Sequence, residues 1–120
     1  MKETKLLGSW GELQAADFLR KKGYRILGLN YSCRYGEIDI IACDSRFVVF
    51  AEVKLRKNAS FAQAREYVTF SKQERIRSTA ALWLSQNPTE LQPRFDVVEV
   101  YAPQGMAGSV AIQHFADAFQ

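Results

Sequence analysis

Two short runs, Gly36-Glu37-Ile38-Asp39 and Glu52-Val53-Lys54, place charged groups two residues apart inside otherwise apolar stretches. Successive side chains of a β-strand point to opposite faces, so Glu37 and Asp39 project together, as do Glu52 and Lys54. Carboxylates and an ammonium at the end of a buried strand are costly unless something charged binds there. A divalent cation with a phosphate group meets that need. Carboxylate oxygens suit Mg²⁺ or Mn²⁺, and a lysine can orient water or stabilise charge on a phosphate. The competing reading is that each run only marks where a strand reaches water. Two runs separated by a turn at Asp44 and Ser45 fit that reading less well, because an antiparallel hairpin carries Asp39 and Glu52 towards the same end.

The elements that must position these residues follow from the pattern. Lys5 to Lys22 reads as a helix, stopped by Gly23 at C′ with Arg20, Lys21 and Lys22 complementing its dipole. Leu7, Ala15, Phe18 and Leu19 share one side of it. Glu12 falls in a stripe with Gly8, Ala15, Ala16 and Leu19, so it flanks or enters the buried face, as a hydrogen-bonded oddity or as a functional acid. Trp10 lands near the polar side, either as a partner surface or as a partly covered aromatic. Three strands are expected next, Tyr24 to Tyr31, Glu37 to Cys43 and Arg46 to Leu55. The unbroken apolar run of the third is typical of a central strand covered on both faces.

Arg56 to Thr69 is polar and irregular, with a short helix expected around Phe61 to Tyr67. A second helix opens at Ser71, where Ser71 and Glu74 form a capping-box pair, and runs through Leu84 to stop before Asn87-Pro88. Ile76, Thr79, Ala80 and Trp83 make its inner face. Lys72 lies one turn before Ile76 on that face, so it either snorkels or reaches a phosphate or active site. After a linker from Pro88 to Pro93, Phe95 to Tyr101 reads as a fourth strand and Val110 to Phe115 as a last one. The expected class is α/β, a mixed sheet with helices packed on it.

The 120 residues make one domain able to bury a core without staples, and a hydrophobic fraction of 48% argues against disorder. A net charge of +3 permits nucleic-acid binding without demanding it. Basic residues cluster at Arg20-Lys21-Lys22, at Lys54, Arg56 and Lys57, and at Lys72, Arg75 and Arg77, each of which also reads as a solvated helix end or loop. Cys33, Cys43 and His114 are too few to build a structural zinc site. The lone histidine, read as structural, has no Gly-x-Ser-x-Gly elbow beside it, and neither a Walker loop nor a dinucleotide fingerprint occurs. Two thiols without an N-terminal apolar run suggest a reduced, cytoplasmic, membrane-free setting.

With Asp39 followed by Glu52-Val53-Lys54, the chain resembles the Asp…Glu-x-Lys core of the restriction-endonuclease-like superfamily. Glu12 resembles the additional acid of archaeal Holliday-junction resolvases. More closely, the chain resembles the YraN family of small bacterial endonuclease-like proteins. The marks are Gly11-Glu12 with Ala15 and Ala16, Gly23-Tyr24-Arg25-Ile26-Leu27, Asn30-Tyr31, Gly36 to Ala42, Phe50 to Arg56, Lys72, and Arg94-Phe95-Asp96-Val97. Three departures stand out: Ile38 where the superfamily often has Pro, Ala51 where the family often has Val, and no glycine between Asn58 and Thr69.

The resemblance implies a restriction-endonuclease-like fold over residues 1–120, a mixed central β-sheet flanked by α-helices. It further implies that Asp39 and Glu52 hold Mg²⁺ or Mn²⁺, that Glu12 supports them, and that Lys54 acts at the water or phosphate. It leaves Glu37 without a role. Arg56, Lys57 and Lys72 are the candidate nucleic-acid contacts, through backbone charge rather than base readout. The leading expectation is a metal-dependent endonuclease on DNA, ahead of RNA, with branched DNA one substrate to consider. A junction-cutting role would favour a homodimer. The alternatives are a nucleic-acid-binding module that cuts little or nothing, and a protein-interaction domain with Trp10 in its partner face.

Overall fold

The computed structural model describes residues 2–57 and 68–120, with side chains from residue 8 onward. The first helix, α1 (Lys2–Lys21), starts three residues earlier than its sequence pattern suggests. Its end is the expected one. Gly23 takes φ +99°, Tyr24 N–H donates to Leu19 O at 3.0 Å and Gly23 N–H to Arg20 O at 3.0 Å, which caps the last carbonyls in a Schellman turn. The chain then forms β1 (Arg25–Cys33), β2 (Gly36–Cys43) and β3 (Phe47–Arg56) as two antiparallel hairpins. Asp44 shapes the second turn by accepting from Arg46 N–H at 2.8 Å and Phe47 N–H at 2.7 Å. The short helix expected around Phe61 to Tyr67 lies outside the described residues.

A helical crossover, α2 (Phe70–Gln86), leads to β4 (Gln92–Tyr101), which pairs parallel to β3. The capping-box expectation at Ser71 and Glu74 is corrected here. Thr69 is the N-cap, its hydroxyl accepting from Lys72 N–H, and Ser71 lies inside the first turn. Either hydroxyl could cap from sequence, but capping from Thr69 adds a residue pair at the helix start and satisfies an orphan N–H there. A 3₁₀ turn (Gly105–Ala107) precedes β5 (Ala111–Phe119), antiparallel to β4. The last strand outruns its expected end at Phe115. A bulge opposite Asp96, with Asp117 at φ +53°, lets pairing resume at Phe95 and Phe119.

The five strands lie in chain order in one mixed sheet, with α1 on one face and α2 on the other. β3 is covered on both faces, as its apolar run demands. Val48 and Phe50 pack with Ile76, Ala80 and Val97 below α2, while Val49 and Ala51 pack with Ala15, Ala16 and Leu19 of α1. Small residues bring α1 close to the sheet: a Cβ on Gly11 would lie 3.3 Å from Leu55 Cδ1. Trp10 resolves as a partly buried aromatic packed against the α1-side core. No described helix is long and apolar enough to cross a membrane.

Candidate functional site

The β2–β3 ladder ends at the pair Ile40 and Ala51, so the strands separate where Asp39 and Glu52 begin. Ile38 packs on the α2 side with Ile41, whereas Ile40 packs on the α1 side with Ala42, so the regular alternation of β2 lapses across Asp39. The Asp39 carboxylate takes up a backbone donor that the parted strands leave over, with Val53 N–H donating to its Oδ2 at 2.8 Å. A cleft of about 510 Å³ opens there, between the α1 and α2 layers. Glu12 lines it from α1, Glu37 and Asp39 from β2, Glu52 from β3, and Lys72 and Arg75 from α2.

Within this cleft the carboxylates divide into two groups. Glu12, Glu37 and Asp39 each offer an oxygen within 4.8 Å of the others. Glu52 is buried and stands apart in its pairing: Lys72 Nζ lies 2.5 Å from its Oε1 and Lys54 Nζ 3.5 Å from the same oxygen. Burial, then the charge of Glu52, push the Asp39 carboxyl up from 3.8 to about 7, with the Val53 N–H opposing and Glu12 adding to the rise. Burial and the adjoining Lys72 hold Lys54 below its ordinary value. Burial also pulls on Lys72, but the Glu52 carboxylate outweighs it and lifts that lysine above its ordinary value. A donor set of hard oxygens whose carboxyl is under-neutralised fits Mg²⁺ or Mn²⁺.

Asp39, Glu52, Glu12, Lys54 and Lys72, chosen from sequence, are therefore brought together. Arg56 is turned instead to β4, where it lies 3.4 Å from the buried Glu99 carboxylate, which also accepts from Tyr101. Lys57 is exposed at the end of β3's described run. Glu37 and Arg75 are the additions. The two-residue spacing to Asp39 was the available signal for Glu37, and the three-residue spacing to Lys72 for Arg75.

On β4 and β5 lies a second polar cluster. Asp96, fully buried, accepts from Arg94 Nε at 2.9 Å and Nη2 at 2.7 Å, from Asp117 N–H at 3.0 Å, and meets His114 Nε2 at 2.6 Å. Lys22 Nζ sits 2.7 Å from His114 Nδ1. An ammonium only donates and a carboxylate only accepts, so His114 carries its proton on Nε2. Arg94 also donates to the Tyr24 hydroxyl and stacks over Phe47, its Cζ 4.7 Å from the ring centre. The expectation that His114 is structural agrees with this arrangement.

Residues 11–100 match the profile of a family described as Uncharacterised protein family UPF0102. A UPF0102 protein of Caldanaerobacter subterraneus is 42% identical over 116 residues, covering 96% of this chain and 95% of its own. Another, from Nocardia farcinica, is 45% identical over 104 residues, covering 86% and 82%. A third, from Geotalea daltonii, is 42% identical over 118 residues, covering 98% and 91%. With the match spanning both helices, the central hairpin and all four cleft carboxylates, this chain belongs to the UPF0102 family.

Proposed function

We propose that this protein is a Mg²⁺- or Mn²⁺-dependent phosphodiester hydrolase acting on nucleic acid, DNA ahead of RNA. The observation that carries the reading is the meeting, where β2 and β3 part, of four carboxylates with Lys72 in one open cleft, and Lys54 beside Glu52 at its edge. The likeness of Asp39…Glu52-Val53-Lys54 to the restriction-endonuclease-like core supports it. Asp39, with Glu12 and Glu37 beside it and Glu52 across from it, would hold the cation. When bound, that ion supplies positive charge for the phosphate and acidifies water.

The chain's own residues divide the remaining work. The Val53 N–H fixes the orientation of the Asp39 carboxylate. Lys54, the less basic of the two lysines, would orient the attacking water or donate to a phosphoryl oxygen. Lys72 and Arg75 offer positive charge from the first turns of α2 to the polynucleotide backbone.

The deciding experiment incubates supercoiled, linear, flapped and four-way DNA with Mn²⁺, beside the Asp39→Ala protein. Cleavage of at least one substrate by the parent and none by the variant is expected. Parental-rate cutting by Asp39→Ala removes the proposed site. Salt-sensitive binding without cutting favours a binding module, and no binding to any DNA or RNA at low salt favours a protein-interaction domain.

A further inference from the structure

The acidic cleft continues into a second, shallower groove of different character. Arg75 lines both. Beyond it the groove, of about 250 Å³, is walled by Tyr35 from the β1–β2 turn and by Ser71, Glu74 and Ser78 from the outer face of α2. Tyr35 and Phe70 are the large aromatics standing exposed among the described residues, at 40% and 69%. The Tyr35 ring is held in place. Arg34 lies over it, Cζ 4.9 Å from the ring centre, and donates to its hydroxyl at 2.8 Å. The turn itself is anchored, because Gly36 lies against Arg75 and Thr79, which a Cβ there would meet at 3.4 Å.

An exposed ring fixed by an arginine, beside a second arginine and next to the cleft, matches what single-stranded nucleic acid needs. Bases stack on the aromatic face and cations follow the backbone. Among the described residues the Arg75 guanidinium has no carboxylate partner, and Glu74 is the one acid lining the groove. Counting Arg34 over Tyr35, two arginines stand against that one acid, and the balance favours a polyanion. Duplex DNA keeps its bases stacked inside the helix and cannot use a ring in this way.

We propose that Tyr35, with Arg34 and Arg75, forms a stacking platform for unpaired nucleotides adjoining the proposed cation site at Asp39. This rests on the nuclease reading and adds the substrate class: nucleic acid with a single-stranded segment beside the cleft. The platform binds one or two unpaired bases on Tyr35, while Arg75 bridges the strand into the acidic cleft.

The test measures binding of a fluorescent duplex with a single-stranded tail and of a blunt duplex of the same sequence, at low salt with EDTA. The parent is expected to prefer the tailed form. Tyr35→Ala is expected to lower the tailed-over-blunt affinity ratio about five- to tenfold, the low end of what one stacked base contributes. Tyr35→Phe, which keeps the ring, is expected to hold the parental ratio. Matching thermal midpoints establish that both variants are folded. An unchanged ratio in Tyr35→Ala, or a parent without preference, overturns the platform while leaving the nuclease reading intact. A parent that binds neither form overturns both.

Discussion

Asp39, half-buried, and Asp96, fully buried, lie on neighbouring regions of one sheet, and their surroundings treat them oppositely. Around Asp96 every lone pair is addressed: a bidentate arginine, an imidazole N–H and a backbone N–H converge on it. Burial alone would raise its pKa, but His114 and Arg94 outweigh it and hold the carboxyl below its ordinary value. Asp39 receives one backbone N–H, while Glu12, Glu37 and Glu52 crowd it, and its carboxyl rises to about 7. A carboxylate with its cations built in belongs to the architecture. One left short of positive charge is where the proposed cation would be held.

The largest contrast is expected in stability. Asp96→Ala strands Arg94 and His114, whose side chains are 11% and 2% exposed, and is expected to cost about 3–5 kcal/mol by chemical denaturation. A loss below about 1 kcal/mol would break the comparison, since Asp96 would then be no better integrated than a surface acid.

Chemistry comes next. Lys54→Ala is expected to leave folding near parental, because the apolar body of β3 already secures its packing, and to slow cleavage by about two orders of magnitude or more. Lys54→Arg is expected to fall short of rescue, since a planar fork does not replace a compact ammonium beside bound water. A Lys54→Ala protein cutting at the parental rate would remove this lysine from the reaction.

The pH dependence sharpens the contrast. The folded-state pKa of Asp39, about 7, lies above the unfolded value of about 3.9. Its contribution to stability is then fully present below about pH 4 and is lost as pH rises through 7. Without metal, Asp39→Asn is expected to be more stable than the parent at pH 8 and about equal to it at pH 4, while Mn²⁺ raises the thermal midpoint of the parent only. Asp96, with a lowered pKa, has the opposite sign: its contribution is present above about pH 4 and lost on further acidification. Parallel pH profiles for the parent and Asp39→Asn would show that Asp39 is not under strain from its neighbours.

The smallest effect concerns the scaffold. Gly36 adopts φ +153° against Arg75 and Thr79, so Gly36→Ala is expected to cost about 1–2 kcal/mol and to weaken the Mn²⁺-induced shift by displacing Glu37. A destabilised protein with a parental Mn²⁺ shift would show that Glu37 is dispensable to the cation.

Much of the cleft constellation was readable locally. Glu37 with Asp39 and Glu52 with Lys54 are strand neighbours two apart, and the short turn at Asp44 brings the two strands together. Glu12 was traceable through its helical stripe and Lys72 through its place one turn before Ile76. Of the Asp96 cluster only the two-residue spacing of Arg94 and Asp96 was readable. The other members lie 18 and 21 residues from Asp96 or, for Tyr24 and Arg94, 70 apart, and no spacing rule links them. The partner of Arg56 was not readable either: in sequence it extends the basic run after Lys54, while β3–β4 pairing sets it beside Tyr101, from where its guanidinium reaches the Glu99 carboxylate.

Periodicity and capping signals in the sequence determined the helices, the central strand and the faces its charged residues occupy, because these depend on backbone geometry within a few residues. The tertiary structure alone decided how the charges were shared. Whether a buried carboxylate is satisfied or left wanting depends on which distant cations the fold delivers to it. Here α2 brings Lys72 to Glu52, β4 and β5 bring Arg94 and His114 to Asp96, and Asp39 is left among acids.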